Sequence, residues 1–324
     1  MRGLITMEIF MEQKMNQAVL FTKPVRHLAL PLTSEELDEK ARRYFEAKGF
    51  NFILSKRVTG SELAERDVIK VHYKIYSKAA CAPSPVDLHV SEEGLAKFKA
   101  AFGKSWQEEV AAGKIMGNPQ LMKEKGISAS ELFLLWSAYF ANQQTHKIQD
   151  GLLMAYLADL GCYCINGFYP TMAENFYHPE TCISYYVVEF DPEQISWEQF
   201  RKNFLGATDA SQAVPESFRG QLYATYDGAL KFPGSDNFVH GSAGPVEGFI
   251  ERCIHESDFD GHSNPVGQYL SDRGVSIDAF TAWKDALDIS QLGELFDKTE
   301  EKNTAEALAV LDDLQFQSEA LGHF

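Results

Sequence analysis

The chain has 324 residues, of which 45% are apolar and 23% charged, as expected for one large or two ordinary globular domains. Its 30 Lys and Arg stand against 46 Asp and Glu, and the formal net charge of −16 argues against broad binding to a nucleic-acid backbone. No apolar run approaches the ~18 residues of a membrane span, and the N-terminus lacks the features of a signal peptide, so we expect a cytoplasmic protein that binds no membrane.

The first elements along the chain alternate between strand and helix. QAVLFTKP (17–24) predicts a short apolar strand that ends at its proline. The capping box T-S-E-E at 33–36 begins a helix that Gly49 ends. FNFILSKRV (50–58) alternates apolar with other residues, which is typical of a strand, and a further helix is predicted at 61–76.

Residues 80–181 have a different pattern and are predicted to be mostly helical. The helical segments are EEGLAKFKAAF (92–102), SWQEEVAAGKIM (105–116), SASELFLLWSAYFANQQ (128–144) and QDGLLMAYLADLG (149–161). Cys162 and Cys164 form a C-x-C pair in this block, with His178 and Cys182 downstream. A zinc site is one interpretation, but the spacing matches none of the usual zinc patterns. Buried free thiols are the favoured interpretation.

From residue 182 the alternation of strand and helix resumes. The predicted elements are a strand rich in aromatic and β-branched residues at 182–190, a helix at 196–206, a loop at 207–221, a strand end at 238–240 and a helix at 245–254. When the middle block is set aside, the order of elements is that of the split βαβ pattern.

This order predicts an α+β fold with a ferredoxin-like βαββαβ core, in which helices pack on one face of an antiparallel sheet. The core is split between residues 16–79 and 182–254. Residues 80–181 form a mostly helical insertion. Residues 255–324 form a C-terminal extension, which is helical after a Gly/Asp/Ser-rich start.

Three short stretches resemble the active-site motifs of the nucleoside diphosphate kinases. TKP (22–24) is similar to the lysine–proline step at the end of that family's first strand. LGATDASQAVPESFRG (205–220) is similar to its Leu-Gly-x-Thr loop that ends in Arg-Gly, and NFVHGS (237–242) to its Asn-x-x-His-Gly-Ser strand. The motifs occur in the family's order, and the likeness covers residues 16–78 and 182–254, less than half of the chain.

The resemblance implies a ping-pong phosphoryl transfer through His240, which takes the γ-phosphate of ATP and passes it to a nucleoside diphosphate. A neutral imidazole is a competent nucleophile near pH 7 because its ordinary pKa lies close by. The rest of the reaction needs positioning and charge neutralisation, so cations and hydrogen-bond donors are expected around the ring. Mg²⁺ is expected to bind mainly to the phosphates, and the sequence shows no cluster of metal ligands for it.

The resemblance also implies catalytic roles for three further residues. Lys23 neutralises charge on the transferred phosphate, and Ser242 places its hydroxyl beside the imidazole. Glu251, one helix later, orients the ring through its second nitrogen. Without the motifs, Lys23 would be interpreted as an exposed lysine at a strand end and Glu251 as a surface residue of a helix.

Nucleotide contacts follow from the same resemblance. Arg219 grips a phosphate through its planar guanidinium, and Thr208 donates its hydroxyl to another phosphate oxygen. Asn237 lies where the family contacts the sugar. Tyr73 lies where an aromatic residue borders the base, although core packing explains Tyr73 equally well.

The chain departs from the family pattern at several positions. Lys202 stands where the family has arginine; it keeps the charge but loses the bidentate geometry, and neighbouring Arg201 could compensate. Val25 and Ala243 each replace an aspartate. The insertion at 80–181 is large enough to cover or replace an interface, so the family's hexamer or tetramer is in doubt, although a homo-oligomer is still expected.

Together these features predict a nucleoside diphosphate kinase whose partners are Mg²⁺–ATP and nucleoside diphosphates. The alternative is a kinase-derived nucleotide-binding protein with a regulatory or interaction role and weak or no transfer activity. The departures from the motifs favour the alternative. The joint presence of His240, Ser242, Arg219, Thr208 and Lys23 favours the enzyme.

Overall fold

The computed structural model describes residues 14–226, 230, 232, 234–287 and 289–313. These residues divide into two compact units. The first contains the chain up to Glu62, Pro179–Ala286 and the residues from Glu294 onward, and the second contains Leu63–His178 and Leu287–Gly293. The second unit therefore begins well before residue 80, where the sequence placed the start of the insertion, and it takes in a short piece of the predicted C-terminal extension.

Short strands and helices make up most of the described chain. The strands are β1 (Asn16–Thr22), β2 (Asn51–Thr59), β3 (Ile115–Met116), β4 (His146–Gln149), β5 (Leu152–Leu157), β6 (Cys162–Ile165), β7 (Cys182–Phe190) and β8 (Val239–Gly241). The helices are α1 (Ser34–Ala47), α2 (Gly60–Glu65), α3 (Val68–His72), α4 (Lys74–Ala80), α5 (Glu92–Phe102), α6 (Trp106–Ala111), α7 (Asn118–Lys125), α8 (Ala129–Ala141), α9 (Tyr169–Tyr177), α10 (Trp197–Gln199), α11 (Phe218–Thr225), α12 (Pro245–His255), α13 (Pro265–Asp272), α14 (Ile277–Ala286), α15 (Ile289–Thr299) and α16 (Thr304–Asp313). A π-helical segment, Phe200–Leu205, continues α10.

The first unit is built on an antiparallel sheet with strand order β2-β7-β1-β8. This is the ferredoxin-like order, and it confirms the predicted α+β class and the antiparallel core sheet. Local signals account for several of its boundaries. The capping box predicted at 33–36 is present, with the Thr33 hydroxyl accepting from Glu36 N and the Glu36 carboxylate accepting from Thr33 N.

Helices cover both faces of this sheet, so the expectation of helices on one face was wrong. One face carries a core in which α1, α10, the π segment and α11 pack on alternate residues of β1 and β7; its buried members include Leu20, Phe45, Val188, Trp197 and Phe200. The other face is covered by α12. The reason is visible in the burial of β1, where every residue is shielded from solvent, because a central strand with apolar side chains in both directions needs cover on both sides.

The second unit contains a four-stranded sheet of order β3-β6-β5-β4, surrounded by helices. The sequence did not predict this sheet: QDGLLMAYLADLG (149–161) was expected to be a helix and instead contributes β5. A short apolar run is compatible with either a buried strand or a buried helix. Here the run pairs with β4 and β6 and is therefore a strand. No helix in the described ranges is long and apolar enough to cross a membrane.

The two cysteines of the C-x-C pair behave as core residues. Cys162 and Cys164 lie on β6, both fully buried in an apolar cluster with Leu132 and Trp136. Both are free thiols, and burial raises the pKa of each above its ordinary value. Full burial among apolar side chains is the environment of a structural thiol, so the packing supports buried thiols over a metal site.

Candidate functional site

Strand pairing in the first unit brings two of the sequence motifs together. β1 and β8 are antiparallel neighbours in which Phe21 faces His240, and Lys23 N donates to Phe238 O at 2.7 Å at the end of the pair. The Lys-Pro step and the His-Gly-Ser strand therefore meet at one edge of the sheet. Phe238 is fully buried and has a φ of 67° in the left-handed region, which costs a non-glycine residue about 1–3 kcal/mol.

The glycine that follows the histidine has a packing role. A Cβ on Gly241 would lie 2.8 Å from Leu205 Cδ2 and 3.0 Å from Leu20 Cδ2, which is closer than side chains tolerate. The glycine lets the π segment approach the back of β8, on the sheet face opposite the His240 ring. Its presence in the motif is therefore explained by the core behind the histidine.

The His240 ring is held by a chain of buried hydrogen bonds. Its Nε2 lies 2.6 Å from Glu251 Oε1, and the Ser242 hydroxyl donates to Glu251 Oε2 at 2.5 Å. Val19 N donates to Ser242 Oγ at 2.9 Å, which anchors the chain to β1. Glu251 and Ser242 are both buried. Since Glu251 occupies Nε2, an electrophile can be taken up only at Nδ1, the other ring nitrogen.

Three cations surround this imidazole. Burial, and then the charges of Lys23, Arg219 and Arg201, hold the pKa of His240 well below its usual range. Burial and the Arg219 charge lower the pKa of Lys23 to about 7, although Asp236 opposes this shift. The imidazole is consequently neutral at pH 7, and three cationic side chains act on it. An anion bound among these groups would relieve their mutual repulsion.

Arg219 links the two motifs of the loop and the strand. It is buried, and its Nη1 donates to Gly206 O at 2.8 Å while its Nη2 donates to Val239 O at 2.8 Å. These bonds tie the start of the 205–220 loop to β8, one residue before His240. The structure thus gives Arg219 a tethering role at the site, and the predicted grip on phosphate stays a prediction.

Asn237 fixes the same loop from the other side. Its Nδ2 donates to Thr208 O at 2.7 Å and to Gly234 O at 3.1 Å. Its Oδ1 is buried and has no hydrogen-bond partner among the residues that the structure describes. A buried acceptor of this kind can take a hydroxyl donor from a ligand. Thr208 itself is exposed at this loop.

The structure separates the two cations of the π segment. Lys202 is exposed and forms ion pairs with Glu198 at 2.7 Å and Glu301 at 3.2 Å. Arg201 instead points to β8, where its Nη1 donates to Gly241 O at 3.1 Å. The π-helical turn, closed by Gly206 N donating to Arg201 O, inserts a residue relative to an α-helix and so changes which side chain faces the strand. Lys202, predicted to contact phosphate, is therefore not brought to His240, and Arg201 is.

Glu247, on the first turn of α12, is a carboxyl beside the site that the sequence analysis did not name. Its Oε2 accepts a hydrogen bond from Ala243 N at 2.5 Å, which caps the helix behind the motif. Burial, reinforced by the charge of Glu251, raises the pKa of Glu247 to about 8. The one sequence signal for this residue is its place as an acidic side chain in the first turn of a helix.

Tyr73 is the one predicted site residue in the second unit. It follows α3 as its C-terminal cap, and its ring meets that of His72 edge-on at 4.5 Å between centroids. The helix predicted at 61–76 is interrupted here and at Asp67, whose φ is 52°. The predicted contact of Tyr73 with a base stays a prediction.

Solved structures of three nucleoside diphosphate kinases are similar to this chain, each at low identity. The apo enzyme of Encephalitozoon cuniculi is 14% identical over 75% of this chain and 90% of its own, with a TM-score of 0.33. A Borrelia burgdorferi complex with vanadate and ADP, a transition-state mimic, is 15% identical over 75% and 88% (TM-score 0.32), and a Pyrobaculum aerophilum enzyme is 17% identical over 74% and 95% (TM-score 0.32). No protein-family model and no curated protein sequence matches the chain.

Proposed function

We propose that the chain is a nucleoside diphosphate kinase that moves the γ-phosphoryl group of ATP to a nucleoside diphosphate through a phosphohistidine at His240. The observation that carries the proposal is the neutral imidazole itself: Glu251 holds it at Nε2, and the charges of Lys23, Arg219 and Arg201 all act on it. A neutral nucleophile among cations suits attack on a polyanion.

The first half-reaction follows from this geometry. The lone pair of His240 Nδ1 attacks the γ-phosphorus of ATP, the bond from that phosphorus to the bridging oxygen breaks, and ADP leaves with the electron pair. No proton is transferred, because the proton stays on Nε2 and remains hydrogen-bonded to Glu251 throughout. The imidazole gains positive charge as the N–P bond forms, and the buried Glu251 carboxylate 2.6 Å away stabilises it.

The second half-reaction reverses the first with another nucleotide. A terminal oxygen of the β-phosphate of a nucleoside diphosphate attacks the phosphorus of the phosphohistidine, the N–P bond breaks, and the electron pair returns to Nδ1 of a neutral imidazole. Lys23 and Arg201 balance the phosphoryl charge in both directions. ATP would arrive as its Mg²⁺ complex, with the ion held mainly by the phosphate oxygens.

Asn237 and Thr208 border the cations and complete the proposed nucleotide site. The buried Oδ1 of Asn237 can accept from a ribose hydroxyl, and the exposed Thr208 hydroxyl can reach a phosphate oxygen. These contacts use groups common to all nucleotides, so we expect broad tolerance of the base. Rates with GDP and CDP as acceptors should be of the same order of magnitude.

A steady-state assay tests this proposal. GTP formation from ATP and GDP is measured while both concentrations are varied, for the unmutated chain, His240→Ala and His262→Ala. His262 is exposed in the same unit and serves as the matched control. We expect parallel reciprocal plots, loss of turnover in His240→Ala and normal turnover in His262→Ala. A folded protein that binds ATP but forms no GTP would refute the enzyme and support a nucleotide-binding regulatory protein.

A further inference from the structure

Four side chains from four strands form a continuous row across the sheet of the first unit. Strand pairing places Lys56 opposite Tyr185, Tyr185 opposite Phe21, and Phe21 opposite His240. All four are on the face that α12 covers. We call this row, which runs from Lys56 on the edge strand β2 to His240 on β8, the ring row.

Within the ring row, Phe21 lies flat against the His240 imidazole. The two ring centroids are 4.5 Å apart and the planes are inclined by only 17°. Phe21 is fully buried. A parallel contact at this distance leaves no space for the imidazole to turn toward the phenyl ring.

A histidine of α12, His255, packs on the row. Its ring contacts those of Phe21 and Tyr185, with centroids at 5.4 Å and 5.0 Å respectively, and it is nearly parallel to Tyr185 at 19°. His255 is one helical turn beyond Glu251, so the helix that binds Nε2 of His240 also supports the phenyl ring that stacks on it.

The far end of the row is anchored by polar contacts. Tyr185 OH donates to Glu256 Oε1 at 2.7 Å, and Glu256 also accepts two hydrogen bonds from Arg252 at 2.9 and 3.0 Å. Lys56 Nζ donates to His255 O at 2.9 Å and lies 4.9 Å from the centre of the Tyr185 ring. These bonds oppose a shift of Tyr185 or His255, and so of Phe21.

We propose that Phe21 is a positioning residue that fixes the plane of the His240 imidazole, a role that rests on the proposed function. Nε2 lies nearer than Nδ1 to the axis of rotation about the Cβ–Cγ bond, so the hydrogen bond to Glu251 restrains the direction of Nδ1 less than a contact on the flat face of the ring does. Nδ1 lies further from the axis and moves when the ring turns. The flat contact with Phe21 supplies the missing restraint and holds the Nδ1 lone pair in one direction.

The test compares Phe21→Leu with Phe190→Leu. Phe190 is an equally buried phenylalanine on β7 whose side chain belongs to the core on the opposite face of the same sheet. Both changes remove a buried ring, but only the first removes the contact with His240. Phosphohistidine formation is measured in a single turnover at saturating Mg²⁺–ATP, together with the Kd for ATP and the ¹⁵N signals of the His240 ring.

We expect Phe21→Leu to lower the rate constant of phosphohistidine formation about tenfold or more while the Kd for ATP changes by less than about twofold, because misdirection of the attacking atom affects the chemical step. The His240 ring signals should broaden or move in Phe21→Leu and stay in place in Phe190→Leu. Equal losses in the two variants, or an unchanged rate in Phe21→Leu, would overturn the proposal.

A replacement variant and a separate measurement on the His240 ring complete the test. Phe21→Met nearly conserves volume but offers no flat face, and it replaces Phe21→Leu if that variant does not fold; the same loss is expected. If the unmutated chain forms no phosphohistidine, the proposed function fails, and the ring signals of His240 then decide alone whether Phe21 restrains the imidazole. Unaltered signals in both Phe21 variants would overturn the restraint itself.

Discussion

Glu251→Gln is the substitution that most directly probes how His240 is held. The change keeps the size of the side chain and removes its charge. In the native protein the carboxylate accepts from His240 Nε2 at 2.6 Å and from the Ser242 hydroxyl at 2.5 Å. Because Oε1 accepts from Nε2, the ring proton is held on that nitrogen, and the lone pair that can attack phosphorus is the one on Nδ1. The bond from Ser242 to Oε2 holds the carboxylate in place.

The amide cannot reproduce both bonds. If its oxygen accepts from Ser242, its NH₂ faces Nε2 and favours the tautomer with the proton on Nδ1. In that tautomer Nδ1 has no lone pair with which to attack phosphorus. Restoring the correct tautomer breaks the Ser242 bond at about 1–2 kcal/mol, and a neutral acceptor stabilises the charged phosphohistidine by about 1–2 kcal/mol less than a carboxylate. The sum of about 2–4 kcal/mol corresponds to a decrease of about 30- to 1,000-fold in rate.

The assay is the rate constant of phosphohistidine formation from γ-labelled ATP in a rapid-quench instrument. Glu247→Gln is the control for the substitution itself, because it replaces a partly buried glutamate by glutamine one turn earlier on α12, and its amide oxygen can still accept from Ala243 N. We expect the rate of this control to stay within about threefold of the native value. A rate in Glu251→Gln within about threefold of native would refute the assignment of Glu251 as the group that orients His240.

Three other predictions follow from the cations and the second carboxyl of the site. Arg201→Ala should lower the transfer rate about 100-fold, whereas Lys202→Ala should change it less than about twofold; equal effects in a coupled assay would contradict the register set by the π segment. Lys23 has a pKa of about 7 in the nucleotide-free protein, so ATP binding at pH 8 should recharge it and take up a proton, and binding at pH 6 should not. Calorimetry in buffers of different ionisation enthalpy detects this uptake, which should be absent in Lys23→Met. Relative to the native chain, Glu247→Gln should gain stability as pH rises from about 4.5 to 8, because the raised folded pKa of Glu247 makes its ionisation destabilising over that window; the relative gain across the window should be about 4 kcal/mol in urea unfolding, and no gain would show that Glu247 ionises without cost.

The strands of the first unit were predictable because their signals are local. QAVLFT and CISYYVVEF are apolar runs rich in β-branched and aromatic residues, and the structure makes them β1 and β7. Side-chain caps likewise set the start of α1. The four-stranded sheet of the second unit was missed because β3 is only two residues long and β5 has an apolar run that fits a helix as well.

The candidate site was predictable in its members more than in its geometry. His240, Ser242 and Glu251 were named from the family resemblance, and the structure joins them in one hydrogen-bonded chain. The exchange of Lys202 for Arg201 depends on a π-helical turn, which has no signature in composition or spacing. The stacking of Phe21 on His240 depends on strand register, which is set by tertiary pairing and not by either segment alone.

The phosphoenzyme test examines the central claim most directly. The protein is mixed with γ-labelled ATP and Mg²⁺, freed of nucleotide, and assayed for label that is stable in alkali and lost in acid. We expect such a label on the unmutated chain, its absence from His240→Ala, and its transfer to GDP as labelled GTP. A folded protein that binds ATP and acquires no label, or one that is labelled equally in His240→Ala, would contradict phosphoryl transfer through His240.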